Sequence, residues 1–311
     1  MKAFLAYAAD AELRRRGTSG GVGSALLKLL FERGRIQTAV SFEYDAAALQ
    51  YVPKLIHSCA EYRPVGSIYH EIPLIDFIRR NVGAIRGGFA CFCLPCQARA
   101  IRHAVESSGH ACLLLGLACS SQQSLAATRY LLERLGLRPA EVRRIQYRGN
   151  GWPSGIQIEL ADGRTQTVPN LGSVWSRIFH SRLFIQPRCF RCDDTLNVHA
   201  DVALADPWLA SLQTDVGEGK TLVMVNTPAG EALWADALGR SCVAEAVPEE
   251  VAAASQAGTI RRKKNYARHP WKRACLLRLN ASPGYRRLAT LHPVLFALHD
   301  RLRILLERSR T

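Results

Sequence analysis

The stretch GGFACFCLPCQARAIRHAVESSGHACLLLGLAC (residues 87–119) contains two apolar runs separated by an amphipathic segment. The runs GGFACFCLP and ACLLLGLAC predict buried strands, and QARAIRHAVESSG between them predicts a helix that follows a proline turn. A strand, a helix and a second strand in this order favour parallel strands with the helix on one face of their sheet. We therefore expect an α/β fold.

The same alternation of strands and helices continues towards both ends of the chain, beginning with a strand at residues 3–8 and a helix after the glycine-rich stretch GTSGG. Residues 143–149 and 155–168 instead predict an antiparallel hairpin insert with an Asp-Gly turn. We expect a mixed β-sheet flanked by helices in residues 1–250, with this β-hairpin insert. A basic linker and an amphipathic helical tail are predicted for residues 251–311.

Composition is that of a globular protein, because 48% of the 311 residues are hydrophobic and 22% are charged. Neither a signal peptide nor an apolar stretch long enough to span a membrane is recognisable, so a soluble cytoplasmic protein is expected. The net charge is +15, and RRKKNYARHPWKR (residues 261–273) is its densest block. Such a block attracts phosphate groups. No nucleic-acid-binding motif accompanies it, so specific nucleic acid binding is not expected.

The last helix predicted by the pattern carries leucines along one stripe, at positions 291, 295, 298, 302 and 305. Arginine and histidine occupy the opposite side. The stripe predicts packing against the protein's own domain or a partner subunit. A peripheral contact with the inner face of the membrane is the alternative, since basic amphipathic helices can bind membrane surfaces.

The ten cysteines do not indicate a disulfide framework, because the cytosol keeps thiols reduced. Four stand alone and are interpreted as structural: Cys59, Cys112, Cys242 and Cys275. Cys189 and Cys192 form a CxxC motif, whereas Cys96 and Cys119 follow two apolar strands. Adjacent parallel strands end side by side, so Cys96 and Cys119 can meet and receive the CxxC from a later loop. Four thiolates suit either tetrahedral zinc or an iron–sulfur cluster.

Three further motifs are candidates for ligand binding. The loop of residues 17–21 (GTSGG) precedes the first long helix, where free amides and the helix dipole favour a phosphate; a plain helix cap by Thr18 or Ser19 is the alternative. VGSIYH (65–70) combines a flexible turn with a hydroxyl and an aromatic ring. YRGNGWPSG (147–155) carries Arg148 in a glycine-rich turn, which suits a planar ligand or simply closes a hairpin.

In this order, seven stretches resemble the family of coenzyme F420 hydrogenase/dehydrogenase beta subunits. They are GTSGGVGSALLKLLFERG, PVGSIYHE, FACFCLPCQARAI, LGLACSS, YRGNGWPSG, CFRCDDTLNVHADVALADPW and GKTLVMVNTPAGEAL. The resemblance implies a flavin-dependent iron–sulfur oxidoreductase. It implies that a 4Fe-4S cluster is held by Cys96, Cys119, Cys189 and Cys192. It also implies FAD, or FMN, at a site formed by Thr18, Ser19, Gly20, Gly21, Gly66, Ser67, Tyr69 and Arg148.

The resemblance further places Asp194 and Asp206 at the family's acidic positions, as candidate catalytic residues. Many relatives carry a ferredoxin-like segment ahead of this core, and this chain resembles a short form without it, so ferredoxin or another electron-transfer protein is the expected partner. Ile68 and Asn226 replace basic residues of the family pattern. A sugar or nucleotide-sugar intermediate of polysaccharide biosynthesis, free or phosphorylated, is therefore an alternative substrate to the deazaflavin F420. A zinc-stabilised binding or assembly protein without redox activity is the competing function.

Overall fold

The computed structural model describes residues 1–212 and 217–307 of the chain. Eleven strands are found there: β1 (Lys2–Ala8), β2 (Thr38–Asp45), β3 (Gln50–Ile56), β4 (Phe89–Cys93), β5 (Cys112–Leu117), β6 (Val142–Gln146), β7 (Gly155–Leu160), β8 (Thr165–Pro169), β9 (Val202–Ala205), β10 (Thr221–Val225) and β11 (Cys242–Val247). Twelve α-helices accompany them: α1 (Ala11–Arg16), α2 (Val22–Glu32), α3 (Leu74–Asn81), α4 (Pro95–Glu106), α5 (Leu125–Arg134), α6 (Val174–Ser181), α7 (Pro228–Ala237), α8 (Glu249–Ser255), α9 (Ala257–Arg268), α10 (Pro270–Ala281), α11 (Pro283–Leu291) and α12 (Pro293–Glu307).

Eight strands form the main sheet in the order β11-β1-β10-β9-β5-β4-β2-β3. The neighbours β9, β5, β4 and β2 run parallel, whereas β3, β10, β1 and β11 each pair antiparallel with the next strand. The predicted α/β fold with a mixed sheet flanked by helices is therefore confirmed. The carboxyl ends of the parallel strands lie along one edge, which is where ligands bind in open α/β sheets.

The predicted hairpin insert is present, but it does not supply the antiparallel strands of the main sheet. Strands β6, β7 and β8 form a separate three-stranded antiparallel sheet. Its apolar side chains, including Ile145, Ile156 and Ile158, are fully buried in the core cluster that also contains Phe89 of β4. Burying this apolar face requires the small sheet to pack over the main one instead of extending its edge.

Both faces of the main sheet are covered by other parts of the chain, because the central strands β4 and β5 carry buried apolar side chains on both sides. Side chains of a strand alternate between faces. In β4, Phe89 and Cys91 point into one core cluster and Ala90 into the other. Helix α4 covers the first face and α2 the second. The apolar stretch that predicted the fold therefore forms its interior.

The basic C-terminal segment, residues 251–311, is helical almost throughout its described part. Helices α8 to α12 follow one another closely and pack on the rest of the chain. The amide of Asn280 donates to three backbone carbonyls of the segment 182–185, at 2.9 to 3.1 Å. Tyr266 and Arg182 both contact the carboxylate of Glu307. A division of the chain at residue 250 stays a prediction.

Helix α12 packs with the face opposite to the one expected. His299 and Leu306 are buried, and the ring of His299 contacts the carbonyl of Ser181 at 2.7 Å. Four positions of the leucine stripe, 291, 298, 302 and 305, are exposed, and only Leu295 is half-buried. The prediction that this stripe packs on the protein's own domain is therefore wrong, because the side of α12 that carries His299 and Leu306 packs inward instead.

Among the described residues, no helix is both long and apolar enough to cross a membrane. The last four residues of the predicted tail, 308–311, lie outside the described part.

Candidate functional site

A large cavity opens at the carboxyl ends of β4, β5 and β9, beside the first turn of α2. Its volume is about 350 Å³, within the usual range for small-molecule sites. Most of the residues expected at the flavin site line it, namely Thr18, Ser19, Gly21, Gly66, Ser67, Tyr69 and Arg148. Asp206 lines it as well. Three sequence motifs that are far apart in the chain thus meet at one cavity.

The glycine loop, residues 17–21, ends at Gly21, which is the N-cap of α2. Gly21 has a positive φ of 74°, and a Cβ there would lie 2.3 Å from the carbonyl oxygen of Leu13, so only glycine fits. No side chain caps α2, which excludes the simple capping interpretation of Thr18 and Ser19. Gly20 does not itself line the cavity, but its carbonyl accepts from the Ala8 amide at 2.7 Å. The first amides of α2 therefore border the cavity without a side-chain partner.

The VGSIYH motif lies against the glycine loop and the arginine-bearing turn. The Ser67 amide donates to the Thr18 hydroxyl at 3.0 Å. A Cβ on Gly66, whose φ is 71°, would lie 2.0 Å from the carbonyl oxygen of Arg148, so the two turns touch through their backbones. The ring of Tyr69 packs edge-on against Tyr147 and against other aromatic rings. Burial raises the pKa of the Tyr69 phenol, which keeps it neutral.

Arg148 and Asp206 form a buried ion pair at the cavity wall. Their side chains are 5% and 12% exposed, and the two contacts are 2.5 Å (Nη1–Oδ2) and 3.2 Å (Nη2–Oδ1). Burial alone would lower the pKa of Arg148, but its interactions with Asp206 and Tyr69 together raise it. Arg148 also donates to the carbonyl of Thr18 at 2.9 Å. Its buried Nε has no hydrogen-bond partner among the residues described, which leaves a donor for a ligand.

Asp194, the other predicted catalytic acid, lies elsewhere. Its carboxylate accepts from the amides of Asn197 and Val198 at 2.9 and 3.2 Å, so it caps a turn. It does not line the large cavity. Its backbone carbonyl instead accepts from the thiol of Cys192 and from the ammonium of Lys263. Asp194 therefore shapes the loop that carries the CxxC motif.

The four predicted cluster ligands line one small cavity next to the large one, called the cysteine cavity below. It is bordered by Cys96, Cys119, Cys189 and Cys192 together with Lys263 and Arg188. Cys96 is in the first turn of α4 and Cys119 follows β5, so the two cysteines end adjacent parallel strands as expected. The other two come from a short 3₁₀ helix, Pro187–Phe190, and the residues after it. Cys91 and Cys93 are buried in β4 and do not line this cavity.

Positive charge and hydrogen-bond donors surround these thiols. The ammonium of Lys263, only 4% exposed, lies 3.3 Å from the sulfur of Cys192 and 3.0 Å from the carbonyl of Cys119. The amide of Gln122 donates to the sulfur of Cys189 at 3.4 Å. Burial raises the pKa of the Cys119 thiol to about 12. Burial thus favours the protonated thiol at Cys119, and binding a metal or cluster must displace that proton.

The donor set fits an iron–sulfur cluster by its chemistry. A 4Fe-4S cluster takes four cysteine thiolates, and donors near its sulfurs tune its potential; the cavity offers four thiols, an amide and a cation. Its volume is only about 10 Å³, so the thiols must turn outward to admit four irons. Within the described part of the chain, no group of three or more His, Cys, Asp or Glu side chains could hold a metal ion as placed.

The two cavities share a wall. Leu94, Cys119 and residues 120–122 border both. The wall is formed by the turns that follow β4 and β5, which the sheet places side by side. A group in one cavity therefore lies only a side chain away from a group in the other.

Lys263 is the residue that the sequence pattern did not reveal. It belongs to the basic block 261–273, for which the sequence predicts only an attraction to phosphate groups. The neighbouring Arg262 also points inward and donates to the carbonyl of Ser120 at 2.9 Å. Helical spacing places residues 262, 263 and 266 on one side of α9, yet nothing local in the sequence distinguishes a buried lysine from its exposed neighbour Lys264.

Comparison with known proteins finds chains of similar sequence and similar fold. A subunit of the F(420)H(2) dehydrogenase of Methanosarcina mazei is 25% identical over 209 residues, which are 64% of this chain and 56% of that relative. The chain thus spans about half the length of this curated relative. A chain of the F420-reducing NiFe hydrogenase complex of Methanosarcina barkeri has a similar fold, with a TM-score of 0.66 and 17% identity, covering 86% of this chain and 91% of that one.

Two family models match consecutive parts of the sequence. Residues 3–79 match the N-terminal model of the coenzyme F420 hydrogenase/dehydrogenase beta subunit, and residues 88–251 match its C-terminal model. The C-terminal match alone covers more than half of the chain, and the two matches include the glycine loop, all four cavity cysteines and the ion pair. The chain therefore belongs to the family of coenzyme F420 hydrogenase/dehydrogenase beta subunits.

Proposed function

We propose that the protein is an iron–sulfur flavoprotein oxidoreductase, which passes electrons between a 4Fe-4S cluster, a flavin and an organic substrate. The observation that carries this proposal is the wall shared by the two cavities. Electron transfer between two centres requires that the protein hold them close together and exclude water. Family membership supports an oxidoreductase role, since the relatives named above are a dehydrogenase subunit and a hydrogenase complex.

The cysteine cavity is the proposed cluster site. A cluster bound there would supply one-electron transfer, and the chain's own groups would stabilise its negative charge. Lys263 provides a buried cation, and the Gln122 amide provides a hydrogen bond to sulfur. Both interactions favour the more negative, reduced state and raise the reduction potential. Asp194 contributes by holding the loop whose carbonyl positions Lys263.

The large cavity is the proposed flavin site, for FAD or FMN. A bound flavin would couple single-electron transfer to hydride transfer. The first amides of α2 suit a phosphate, as a helix N-terminus with no side-chain cap attracts anions. Gly66 lets two turns approach each other closely beside this site. The unpartnered Nε of Arg148 and the hydroxyls of Thr18 and Ser67 are the nearby polar groups for the rest of the ligand.

We propose that the organic substrate enters at the rim of the same cavity. Arg63 and the exposed Trp208 border it there, a cation for a phosphate and a ring for stacking. These groups suit the deazaflavin F420 named for the relatives, or a phosphorylated sugar or nucleotide sugar. Asp206 is the carboxylate on the cavity wall, so we assign it the catalytic-site role expected from the sequence.

The remaining assignments rest on the same proposal. The electron partner is a ferredoxin or another electron-transfer protein, and the relatives that belong to larger enzymes are consistent with such a partner. Residues 1–250 are the proposed catalytic unit, because the family matches end at residue 251. The proposed location is the cytoplasm.

The proposal is tested by single-turnover electron transfer. Protein reconstituted with iron, sulfide and FAD is mixed anaerobically with reduced ferredoxin, and flavin reduction is followed by absorption; oxidised F420 or a nucleotide sugar is then added. We expect Cys119→Ser to bind flavin but to lose its reduction by ferredoxin. Cys59→Ser, a half-buried cysteine outside both cavities, is the control. Undiminished flavin reduction in the Cys119 variant would contradict the proposal.

A further inference from the structure

The C-terminal helices present an apolar face to solvent, while polar side chains and a few apolar ones, such as Ala289 and Leu306, hold them to the protein. On α12, the exposed residues Val294, Leu298, Leu302 and Leu305 recur at intervals of three and four, so they lie on one side of the helix. They are 58%, 54%, 38% and 64% exposed. Together with Leu288 and Leu291 of α11, which are 55% and 70% exposed, they form the surface called the leucine face below.

An ordinary surface helix buries most of its apolar side chains, whereas α12 buries Leu306 and leaves most of its other aliphatic side chains exposed. The inward side of α12 carries His299, Arg303 and Glu307. Arg303 and Glu307 pair with each other at 2.6 Å, and Glu307 also accepts from Arg182 at 3.2 Å. Because these polar contacts fix the orientation of the helix, the leucines are held outward instead of being left there by loose packing. A group of exposed apolar side chains held in this way is typical of an interaction site.

The C-terminal segment that carries the leucine face is strongly positive. Residues 251–311 contain 14 Lys and Arg but only two acidic residues, and so contribute +12 of the chain's net charge of +15. Both acids, Asp300 and Glu307, pair with Arg303. Arg287 on α11 and Arg301 on α12 are exposed. At 100° per residue, Arg301 lies among the leucines and not opposite to them.

We propose that the leucine face docks on an anionic membrane surface, with α12 lying in the plane of the lipid headgroups. The helix is 15 residues long, about 22 Å, and the described residues contain no helix that could cross the bilayer. Aliphatic side chains enter the boundary between headgroups and acyl chains, while arginines at the same level reach out to lipid phosphates. Protein interfaces are instead enriched in aromatic residues at their centre, and the leucine face has none.

The proposal is independent of the electron-transfer function, since the face lies beyond the residues matched by the family models. It would place the reaction next to lipid-linked or membrane-bound reactants. The attraction has two parts, an apolar one that depends on the leucines and an electrostatic one that falls with salt.

The test is sedimentation of the full-length protein with vesicles of phosphatidylcholine, with and without phosphatidylglycerol. We expect binding to the anionic vesicles only, reduced by high salt. Leu298→Gln/Leu305→Gln should weaken that binding at least tenfold. The matched control is Val243→Gln, at a similarly exposed apolar position (44%) on β11. Both variants should keep the wild-type unfolding midpoint, because the substituted side chains face solvent.

Two kinds of result would overturn the proposal, one from the vesicle experiment and one from the oligomeric state. One is wild-type protein that stays in the supernatant with anionic vesicles, or a double variant that binds them as well as wild type. The other is a dimer in sedimentation equilibrium that the double variant dissociates, which would assign the leucine face to a second copy of the chain.

Discussion

The Arg148–Asp206 ion pair gives the sharpest prediction of stability. Arg148→Met keeps much of the side chain's volume. It leaves the Asp206 carboxylate, which is 12% exposed, with a hydrogen bond from the Trp152 indole at 3.3 Å but without its cationic partner. It also removes the hydrogen bond to the Thr18 carbonyl. Losing one partner of a buried pair costs about 3–5 kcal/mol, mainly because the other charge stays buried without compensation. We expect the free energy of unfolding to fall by that amount.

The same reasoning predicts recovery in the double variant Arg148→Met/Asp206→Asn, because no uncompensated charge remains. Urea unfolding followed by tryptophan fluorescence measures all three proteins. Arg144→Met is the matched control: its contact with Glu159 is 4.0 Å long and the two side chains are 38% and 35% exposed, so its loss should cost less than about 1 kcal/mol. A cost below about 1 kcal/mol for Arg148→Met, or a double variant no more stable than the single one, would refute this account.

Three further predictions concern separate parts of the molecule. Lys263→Met should lower the midpoint potential of the reconstituted cluster by on the order of 100 mV in a redox titration. Substitution of the exposed Lys264 by Met should leave that potential unchanged. Equal shifts in the two variants would contradict the role of Lys263 as a buried cation. Gly66→Ala should weaken flavin binding in a fluorescence titration, because its Cβ would lie 2.0 Å from a backbone oxygen. Gly284→Ala should leave the affinity unchanged, since its Cβ would have no atom within 4 Å. Equal flavin affinities of the two variants would argue against the close approach of the two turns. Burial lowers the pKa of His299, so the unfolded chain gains a proton that the folded one resists. The contribution of His299 to the free energy of unfolding should therefore be fully present above pH 6.5 and decrease below that pH, by up to about 1.4 kcal/mol per pH unit. His299→Gln should reduce this pH dependence in urea unfolding between pH 7 and 5. An unchanged pH dependence in the variant would contradict the prediction.

The fold was predictable because its strongest signals are local. The apolar strands around residues 89–93 and 112–117 could only be buried, and the helix between them could only cover their sheet. The same logic correctly predicts that Cys96 and Cys119 follow neighbouring parallel strands. The position of the three-stranded sheet was not predictable, since a hairpin pattern specifies pairing within the insert but not the surface on which its apolar face packs.

The candidate site was predicted from motifs and completed by tertiary contacts. The glycine loop and the VGSIYH motif predicted turns, and in the structure Gly21 and Gly66 have positive φ in turns that border the large cavity. Lys263 was missed because its burial depends on how α9 docks onto the CxxC loop. The leucines of α12 were predicted to pack inward for a related reason. Periodicity shows that a helix has an apolar side, but the contacts of His299 and Glu307 decide which side faces the protein.

The central claim is that Cys96, Cys119, Cys189 and Cys192 hold a 4Fe-4S cluster beside a flavin. The most direct measurement is the iron, sulfide and flavin content of anaerobically purified and reconstituted protein, together with its absorption spectrum before and after dithionite. The account predicts about four irons per chain, a visible absorption that dithionite bleaches, and a flavin released on denaturation. Cys192→Ser should lose the iron and Cys59→Ser should keep it. A colourless protein with one zinc and no flavin, or full iron retention by Cys192→Ser, would contradict the account.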